Sequence, residues 1–254
     1  MTSDPTVCSL TDLHTHILPC VDDGADSIET AIAMLTAQKN SGVERVTLTP
    51  HFYPMREELD SFLDRRQKAY DALLAYWDCS AMPQLQLAAE VRYSPALLQM
   101  ELRNLTIGAG NYLLLEFPDF GVITYAEQVV KQLIEQEIIP VLAHVERCCA
   151  FRNNPNLLLE LIQMGALSQI DMDALSAPKP DKFAIKCLKN GLAHIIASDT
   201  HNMSSRAHCI ADLAGGRFAE MLTRSEIFAR AIWDDSQIPH FSVKPLRKFL
   251  LGYR

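Results

Sequence analysis

The chain has 254 residues, of which 48% are hydrophobic and 21% are charged, and its formal net charge is −8. This length and composition are typical of one globular domain with a sizeable core, so we expect a single domain over residues 1–254. The acidic balance argues against a surface that binds nucleic acid or an anionic membrane, since both need clustered lysine and arginine. Residues 1–7 show no secretory signal, and no apolar run approaches the ~20 residues of a membrane span.

The cysteines favour a reducing compartment. Their number is seven, which is odd, and none of them forms a Cys-x-x-Cys pair. The sequence therefore indicates neither a disulfide framework nor a thiolate zinc site. Because free thiols persist in reducing surroundings, we expect a cytoplasmic protein that inserts in no membrane.

Strand and helix patterns alternate along the chain, with no internal repeat or linker to mark a domain boundary. The first predicted strand lies at the start of residues 10–24 and ends at Pro19, and a helix follows with Ser27 as its N-cap. The later predicted strands cover 43–49, 85–89, 112–117, 138–143, 167–171 and 193–198. The later predicted helices cover 55–78, 96–102, 124–137, 154–165 and 181–190. Two or three short helices and a basic, solvated tail over residues 244–254 complete the prediction, and such alternation predicts a parallel α/β fold.

The first strand carries a possible metal motif. Asp12, His14 and His16 alternate, so they share one face of a strand, and the two imidazoles lie roughly 7 Å apart at the backbone. Both could reach one metal ion or two neighbouring ions. Taken alone, the pair is more often two ordinary polar strand residues. The turn that follows contains Asp22 and Asp23, whose carboxylates could fold back over the strand end.

The ends of the other strands strengthen the metal interpretation. Six of the seven predicted strands finish on a residue that can bind a metal ion, and the carboxyl ends of parallel strands converge on one face. A single such residue is usually a helix cap or a satisfied core histidine, but six coincidences at one geometric position predict a metal cluster. With Asp23 included, the candidate ligands are His14, His16, Asp23, His51, Glu90, Glu116, His144, Asp199 and His201.

The ligand count favours several ions. Five imidazoles and four carboxylates suit three ions better than one, since each ion takes four to six ligands and carboxylates can bridge. A donor set without thiolate favours Mn²⁺, Fe or Zn²⁺, and the sequence does not choose among them.

Seven short motifs then indicate a family. In order, they are Asp-Leu-His-Thr-His at 12–16, Val-Asp-Asp-Gly at 21–24, Thr-Pro-His at 49–51, Ala-Glu at 89–90, Leu-Glu-Phe at 115–117, Ala-His-Val-Glu-Arg at 143–147 and Ser-Asp-Thr-His-Asn at 198–202. Together they resemble the polymerase-and-histidinol-phosphatase (PHP) superfamily. Within it, the chain is most similar to the manganese-dependent tyrosine-protein phosphatases of bacterial capsule and exopolysaccharide synthesis.

The resemblance implies a distorted, TIM-like (β/α)₇ barrel with a trinuclear manganese site at the carboxyl ends of its strands. It also implies that the nine candidates are the ligands and that Arg147 and Arg206 hold the substrate phosphate. The less favoured alternative for either arginine is an ordinary surface salt bridge. The expected reaction is attack of a metal-activated hydroxide on phosphorus. The expected substrate and partner is the phosphorylated tyrosine tail of a membrane-bound tyrosine kinase that controls polysaccharide assembly.

The chain departs from the family pattern in two places. Ser205-Arg206-Ala207 stands where Gly-Arg-Pro is usual, and Cys148-Cys149 follows the Glu-Arg pair where an aromatic is usual. Both changes are expected near the mouth that would hold the substrate's phenyl ring. They leave the ligands intact but weaken the prediction of the substrate.

Several alternatives stay open. The chain could be a small-molecule phosphatase, such as a histidinol-phosphate hydrolase, or a non-catalytic metal-binding module; its acidity argues against a nuclease. A cysteine nucleophile is not indicated, because no cysteine has an arginine six residues later. Asp171-Met-Asp173 is a near miss to an aspartyl-nucleophile motif and is interpreted as the end of the sixth strand. The native metal, the general acid and the oligomeric state are not predicted.

Overall fold

The computed structural model describes residues 9–246 and, beyond them, the backbone of residues 248–249 and 252–253. The segment 1–7 and residues 247, 250, 251 and 254 of the predicted basic tail therefore lie outside the described residues. At the start of the tail Lys244 and Pro245 are exposed, as predicted, whereas Leu246 is buried. None of the helices in the described part of the chain has the length and hydropathy needed to cross a bilayer.

The fold is mixed α/β with parallel sheets. The strands are β1 (Leu10–Thr15), β2 (Val43–Leu48), β3 (His51–Phe52), β4 (Gln84–Leu87), β5 (Glu90–Arg92), β6 (Tyr112–Glu116), β7 (Ile139–Ala143), β8 (Leu167–Asp171), β9 (Ile195–Ala197), β10 (Lys248–Phe249) and β11 (Gly252–Tyr253). One parallel sheet has the order β1-β2-β4 and the other has the order β3-β5-β6-β7-β8-β9. The strands β10 and β11 form a separate antiparallel pair.

Helices connect most of the parallel strands. They are α1 (Ile28–Asn40), α2 (Leu59–Leu74), α3 (Ala126–Glu135), α4 (Cys149–Asn153), α5 (Pro155–Gln163), α6 (Asp173–Ser176), α7 (Lys182–Asn190) and α8 (Ala219–Trp233). The N-cap prediction is confirmed, because the Ser27 hydroxyl accepts a hydrogen bond from the backbone N–H of Thr30. Gly191 ends α7 in the left-handed conformation, as a glycine after a helix often does.

Two of the predicted strands, 43–49 and 85–89, are each followed by a further short strand that was not predicted. The chain leaves β2 at Thr49–Pro50 and enters β3, and it leaves β4 at Ala88–Ala89 and enters β5. Pro50 has no N–H to extend the ladder, but its carbonyl accepts from the N–H of Glu90. This break moves the chain from the first sheet to the second, where His51 and Glu90 pair directly in register.

Three other predictions were wrong. The first strand ends at Thr15 and not at Pro19, because the backbone after it turns and the carbonyl of His16 accepts from the N–H of Ala25. The predicted helix at 96–102 is a short 3₁₀ helix, Pro95–Gln99, that ends at the extended residue Met100. In place of only short helices, the region after β9 contains the 15-residue α8.

The helix α8 lies where β1 and β9 approach each other. Within the described residues these two strands form no ladder and meet at one isolated bridge, between Thr15 and Thr200. Deeper in the fold, α8 accepts their backbone donors instead: Glu226 accepts from the N–H of Thr11 at 2.8 Å, and Ser225 accepts from the N–H of Ile196 at 2.7 Å. The helix thereby satisfies groups that would otherwise be buried without partners.

The hydrophobic core has two parts, and the smaller part extends toward the carboxyl ends of the parallel strands. It joins alternate residues of the strands, such as Leu114 and Leu167, to Phe228 and Trp233 of α8. Because side chains alternate along a strand, residues two or four positions later on β6 and β8 share the same face. On β6 that row continues to Glu116, at the carboxyl end of the strand.

Candidate metal centre

The structure brings the nine candidate ligands together at the carboxyl ends of the parallel strands. Seven of them form three overlapping groups in which one donor atom from each residue lies within 4.8 Å of the others. The groups are His16, Asp23, His51 and His201; His14, His16 and Glu90; and His51, Glu90 and Glu116. Shared members link every group to the other two.

The remaining two candidates contact this assembly directly. The Nε2 atom of His144 lies 2.9 Å from Oε1 of Glu90 and 3.9 Å from Oε1 of Glu116. The Oδ1 atom of Asp199 lies 3.2 Å from Nε2 of His16. All nine side chains therefore form one continuous cluster, which is buried except at Asp23 and His51.

The centre of the cluster contains four electron-rich atoms in close approach. The Nε2 atom of His14 lies 3.1 Å from Nε2 of His16, 3.3 Å from Oε2 of Glu90 and 3.4 Å from Oδ1 of Asp199. Two buried carboxylates and two imidazoles at such distances repel one another unless positive charge lies between them.

The partners of the other ring nitrogens show which nitrogen of each histidine is available to a cation. Nδ1 of His16 lies 2.7 Å from Oδ2 of Asp22, and Nδ1 of His14 lies 3.0 Å from Oε1 of Gln169. The amide of Gln169 is oriented by its NH₂, which donates to Asp171 at 2.7 Å, so an oxygen faces His14. Each Nδ1 is therefore the donor, and in the neutral rings the Nε2 lone pairs point at each other.

The donor set fits divalent ions. Four buried side-chain atoms of the cluster form no hydrogen bond of suitable geometry among the described residues: Nδ1 of His51, Nε2 of His201 and one Oε2 atom each of Glu90 and Glu116. Of these, Nδ1 of His51 and Oε2 of Glu90 nevertheless lie only 2.8 Å apart. Buried polar atoms are rarely left in this state unless something else binds them. Imidazole nitrogens and carboxylate oxygens suit Mn²⁺, Fe²⁺ and Zn²⁺. Second-sphere acceptors such as Asp22 are the usual means of orienting a ligating histidine.

The electrostatics of the cluster lead to the same conclusion. Burial alone would raise the pKa of Glu90, but His14 and the other imidazoles outweigh it and hold the pKa well below its usual range. Burial would likewise lower the pKa of His16, but Asp22 and the other carboxylates raise it well above its usual value. The carboxylates therefore stay charged, and the site favours cations of any kind at its centre.

Two of the candidates occupy strained backbone positions directly after strands. His144 has a φ of 29° and Asp199 has a φ of 52°, a region that non-glycine residues rarely adopt. The N–H of Asp199 donates to the carbonyl of His14, and the N–H of His144 donates to Oε1 of Gln169. Such strain is typical of functional sites, where surrounding contacts hold the side chain in one direction.

A close backbone approach positions the turn after β1. A Cβ atom added at Gly24 would lie 1.9 Å from the carbonyl oxygen of His16, so only glycine fits there. The N–H of Gly24 also donates to Oδ1 of Asp22 at 2.9 Å. The glycine of the Val-Asp-Asp-Gly motif therefore allows this turn to place Asp22 and Asp23 over the strand end.

The two candidate arginines meet at one carboxylate. NH1 of Arg147 lies 3.1 Å from Oδ2 of Asp199, and NH2 of Arg206 lies 3.0 Å from the same atom. Arg206 also reaches Asp23 at 3.3 Å, and Arg147 reaches Asp171 at 3.5 Å. Both side chains are partly exposed and line an open cavity of about 330 Å³ at the edge of the cluster. They are not remote surface salt bridges but converge beside the candidate ligands.

The two departures from the family pattern have different surroundings. Cys148 is buried in the core and does not reach the mouth, whereas Cys149 is partly exposed and its N–H donates to the carbonyl of Asp119. In the other departure, Oδ1 of Asn202 accepts from the N–H of Arg206 at 3.0 Å. This side-chain cap holds the loop that presents Arg206, without a proline after it.

The sequence placed the carboxylate of Asp22 over the strand end, as observed, but did not predict which residues orient the ligating histidines. Asp22 and Gln169 hold the outer nitrogens of His16 and His14, and Asp12, which lies in the first motif, accepts from the N–H of Ser198 at 3.1 Å. Burial raises the pKa of Asp12 to about 6. The available signal was a polar residue, Gln169, at an inward position of an otherwise buried strand.

A second group of acids lies next to Arg147. Glu146, Asp171 and Asp173 offer oxygens within 4.8 Å of one another. Burial raises the pKa of Glu146 to about 8, and its Oε1 accepts from the N–H of Asp171 at 3.1 Å. Asp171 is the last residue of β8, as predicted, and its side chain is buried behind Arg147.

Comparisons with known proteins agree on one family. A family model described as capsular polysaccharide synthesis, CpsB/CapC, matches residues 10–218. The tyrosine-protein phosphatase YwqE of Bacillus subtilis is 33% identical over 209 residues, which cover 77% of this chain and 78% of the relative. The putative tyrosine-protein phosphatase CapC of Staphylococcus aureus is 32% identical over 215 residues, which cover 82% and 83%.

A solved structure gives the same result. It comes from work on YwqE from Bacillus subtilis and CpsB from Streptococcus pneumoniae, described as unique metal-dependent tyrosine phosphatases. It superposes with a TM-score of 0.81 at 26% identity and covers 94% of this chain and 100% of the solved chain. The resemblance predicted from the motifs is confirmed, and this chain belongs to the CpsB/CapC family of capsular polysaccharide synthesis.

Proposed function

We propose that this chain is a metal-dependent protein-tyrosine phosphatase that acts in capsule or exopolysaccharide synthesis. The observation that carries the proposal is the cluster of nine imidazoles and carboxylates, most of them buried, whose inner atoms approach one another closely. The names of the relatives supply the substrate class. The three overlapping ligand groups support a site for three divalent ions, and the family resemblance favours Mn²⁺ over Fe or Zn²⁺.

Divalent ions held by these residues would lower the pKa of water toward neutrality and offset the charge of a phosphate. The chain's own contribution beyond ligation comes from Arg147 and Arg206. Their guanidinium groups present a fixed fork of donors that matches phosphate oxygens, and both already point at one edge of the cluster. They would hold and orient the phosphoryl group while its ester bond breaks.

The leaving group of a phosphotyrosine needs little protonation by the protein. A tyrosine phenol has a pKa near ~10, so it departs as phenolate with little protonation. A dedicated general acid is therefore not needed for this step. The proposed substrate is the phosphorylated tyrosine tail of a membrane-bound tyrosine kinase that controls polysaccharide assembly.

We also propose that residues 9–246 form one domain in which the strands close into a distorted seven-membered barrel. The support is the contact between β1 and β9. The N–H of His16 donates to the carbonyl of Thr200 at 2.9 Å, and the N–H of Asp199 donates to the carbonyl of His14 at 3.0 Å. Both bonds lie at the carboxyl ends of the strands, where they also fix three of the candidate ligands.

The function is tested by measuring phosphate release from a phosphotyrosine peptide, p-nitrophenyl phosphate and histidinol phosphate, with and without a chelator. We expect metal-dependent hydrolysis of the peptide that is lost in His14→Ala. Faster turnover of histidinol phosphate than of the peptide would contradict the tyrosine-phosphatase proposal in favour of a small-molecule phosphatase. No hydrolysis of any of the three would favour a non-catalytic metal-binding module.

A further inference from the structure

A cationic cavity, separate from the one that Arg147 and Arg206 line, lies beside the metal centre. It has a volume of about 270 Å³, and its walls include Tyr53, Arg56, Arg92 and Tyr93. Tyr53 follows β3 and Tyr93 follows β5, so the cavity opens at the same carboxyl ends as the metal cluster. Its lining contains two arginines and no acidic residue.

One of the two arginines, Arg56, forms no ion pair with any residue that the structure describes. Its guanidinium lies over the ring of Tyr53, 4.7 Å from the centroid. The side chain is exposed. A guanidinium stacked in this way keeps its N–H edge free for an incoming anion. An arginine without an ion pair at this position contrasts with the chain as a whole, which carries a net charge of −8.

Two contacts connect the cavity to the metal cluster. NH1 of Arg92 lies 2.6 Å from Oε1 of Glu116, a candidate ligand, while the arginine side chain is still 33% exposed. The ring of Tyr53 lies 5.2 Å from the ring of His51, another candidate ligand. A substrate group bound in the cavity would therefore sit within one or two residues of a phosphotyrosine at the cluster, given a rise of about 3.3 Å per extended residue.

A loop with exposed apolar side chains runs between this cavity and the one that Arg147 and Arg206 line. At one end Asp119 lies 3.8 Å from Arg147, and at the other end the carbonyl of Thr124 accepts from the hydroxyl of Tyr93. Between them Phe120 is 80% exposed and Val122 is 87% exposed. Apolar surface between two cavities that each present a pair of arginines suits an extended peptide with anionic side chains better than a small phosphomonoester.

We propose that the cavity around Arg56 is a subsite for an anionic side chain that lies next to the phosphotyrosine in the substrate peptide. The ligand chemistry is a carboxylate from aspartate or glutamate, or a phosphate on a neighbouring tyrosine. Arg56 supplies the free charge, Arg92 supplies a second donor, and Tyr53 separates this subsite from the reacting phosphate. The inference rests on the proposed phosphotyrosine specificity and adds a preference for acidic or multiply phosphorylated sequences.

The test uses the metal-loaded, full-length chain and a set of peptides that share one phosphotyrosine. The neighbouring positions carry glutamine, glutamate or a second phosphotyrosine. Hydrolysis gives kcat/KM for each peptide, and a matching set with the non-hydrolysable phosphonomethyl-phenylalanine gives Kd by fluorescence anisotropy. The variants are Arg56→Gln and Arg56→Lys. The control is Arg217→Gln, because Arg217 is exposed and lies over the ring of Phe218 at the same 4.7 Å, outside both cavities.

We expect the acidic or doubly phosphorylated peptides to bind about fivefold more tightly than the glutamine peptide, which is the scale of an exposed ion pair. Arg56→Gln should abolish this preference, whereas Arg56→Lys should retain part of it and Arg217→Gln all of it. A preference for the second phosphate alone would assign the subsite to phosphate, and a preference for glutamate as well would assign it to anions in general.

Equal affinity for all the peptides, or a preference that survives in Arg56→Gln, would overturn the subsite while leaving the phosphatase proposal intact. If no phosphotyrosine peptide were hydrolysed although p-nitrophenyl phosphate was, the tyrosine-phosphatase proposal would fail, and the subsite with it.

Discussion

The two ends of β9 bury histidines in opposite surroundings. Before the strand, His194 packs against the rings of Phe228 and Phe241, and its Nδ1 accepts from the N–H of Ser168 at 3.1 Å. Beyond the other end, His16 lies among carboxylates, with Asp199 at 3.2 Å. Both imidazoles are almost completely inaccessible. Burial therefore does not identify a ligand, but the chemistry of the neighbouring atoms does.

The two surroundings shift the pKa values of the two histidines in opposite directions. Burial among apolar groups lowers the pKa of His194 to about 3, so this histidine is neutral in the fold. At the other end the carboxylates outweigh burial and raise the pKa of His16. One end of the strand thus excludes positive charge while the other collects it, and we expect the two ends to respond differently to substitution, metal and pH.

The largest expected effect is the loss of a ligand. In His14→Ala an inner nitrogen disappears, so we expect phosphatase activity to fall by more than the roughly 100-fold that loss of an outer-sphere partner costs. His194→Ala should keep its activity per folded molecule, although it should unfold at a lower temperature. Steady-state kinetics and thermal denaturation of both variants measure this contrast. Comparable activity losses in the two variants would remove the distinction between the two ends.

The next effect concerns the residues that orient the ligands. In Asp22→Asn the shape is kept but the charged acceptor for Nδ1 of His16 is lost, together with the charge near the N–H of His51. We expect metal affinity to fall roughly 10- to 100-fold. Competition with a fluorescent chelator measures the affinity. An unchanged affinity would show that Asp22 is not part of the ligand support.

A smaller effect is expected from the phosphate-holding arginines. Arg206→Lys keeps the positive charge but loses the planar fork, so we expect kcat/KM for phosphotyrosine peptides to fall roughly tenfold at unchanged metal content. The matched variant Arg217→Lys should show no change. If Arg206→Lys released metal instead, the residue would act on the cluster through Asp23 and Asp199 and not on the substrate.

The last effect changes stability and leaves activity unchanged: it is a pH dependence at the apolar end of β9. Because the folded-state pKa of His194 is about 3 and the unfolded value is near ~6.5, the unfolded chain binds the proton first. Stability from the neutral imidazole is complete above pH ~6.5 and is lost toward pH 3, by up to about 1.4 kcal/mol per pH unit. Urea denaturation between pH 7 and 4 should show a shallower slope for His194→Gln than for the unchanged chain. Parallel slopes would contradict a neutral buried His194.

The sequence was sufficient to predict which side chains gather, because strand ends in parallel α/β folds converge regardless of their separation along the chain. It did not predict that β2 and β4 each pass into a second strand, since that depends on the register between His51 and Glu90 across two segments. It also did not predict which residues would hydrogen-bond to the ligating histidines and orient them. Gln169 and Asp22 matter through contacts made in three dimensions, and the left-handed backbone of His144 and Asp199 has no signal in residue type.

The central claim is that the atoms converging at the carboxyl ends of the strands hold divalent cations. Elemental analysis of the purified chain, of His14→Ala and of His194→Ala tests it most directly. We expect about three divalent ions per chain, one for each of the overlapping ligand groups, with the same content in folded His194→Ala and a marked loss in His14→Ala. Equal metal content in all three proteins, or none in the unchanged chain after incubation with Mn²⁺, would contradict it.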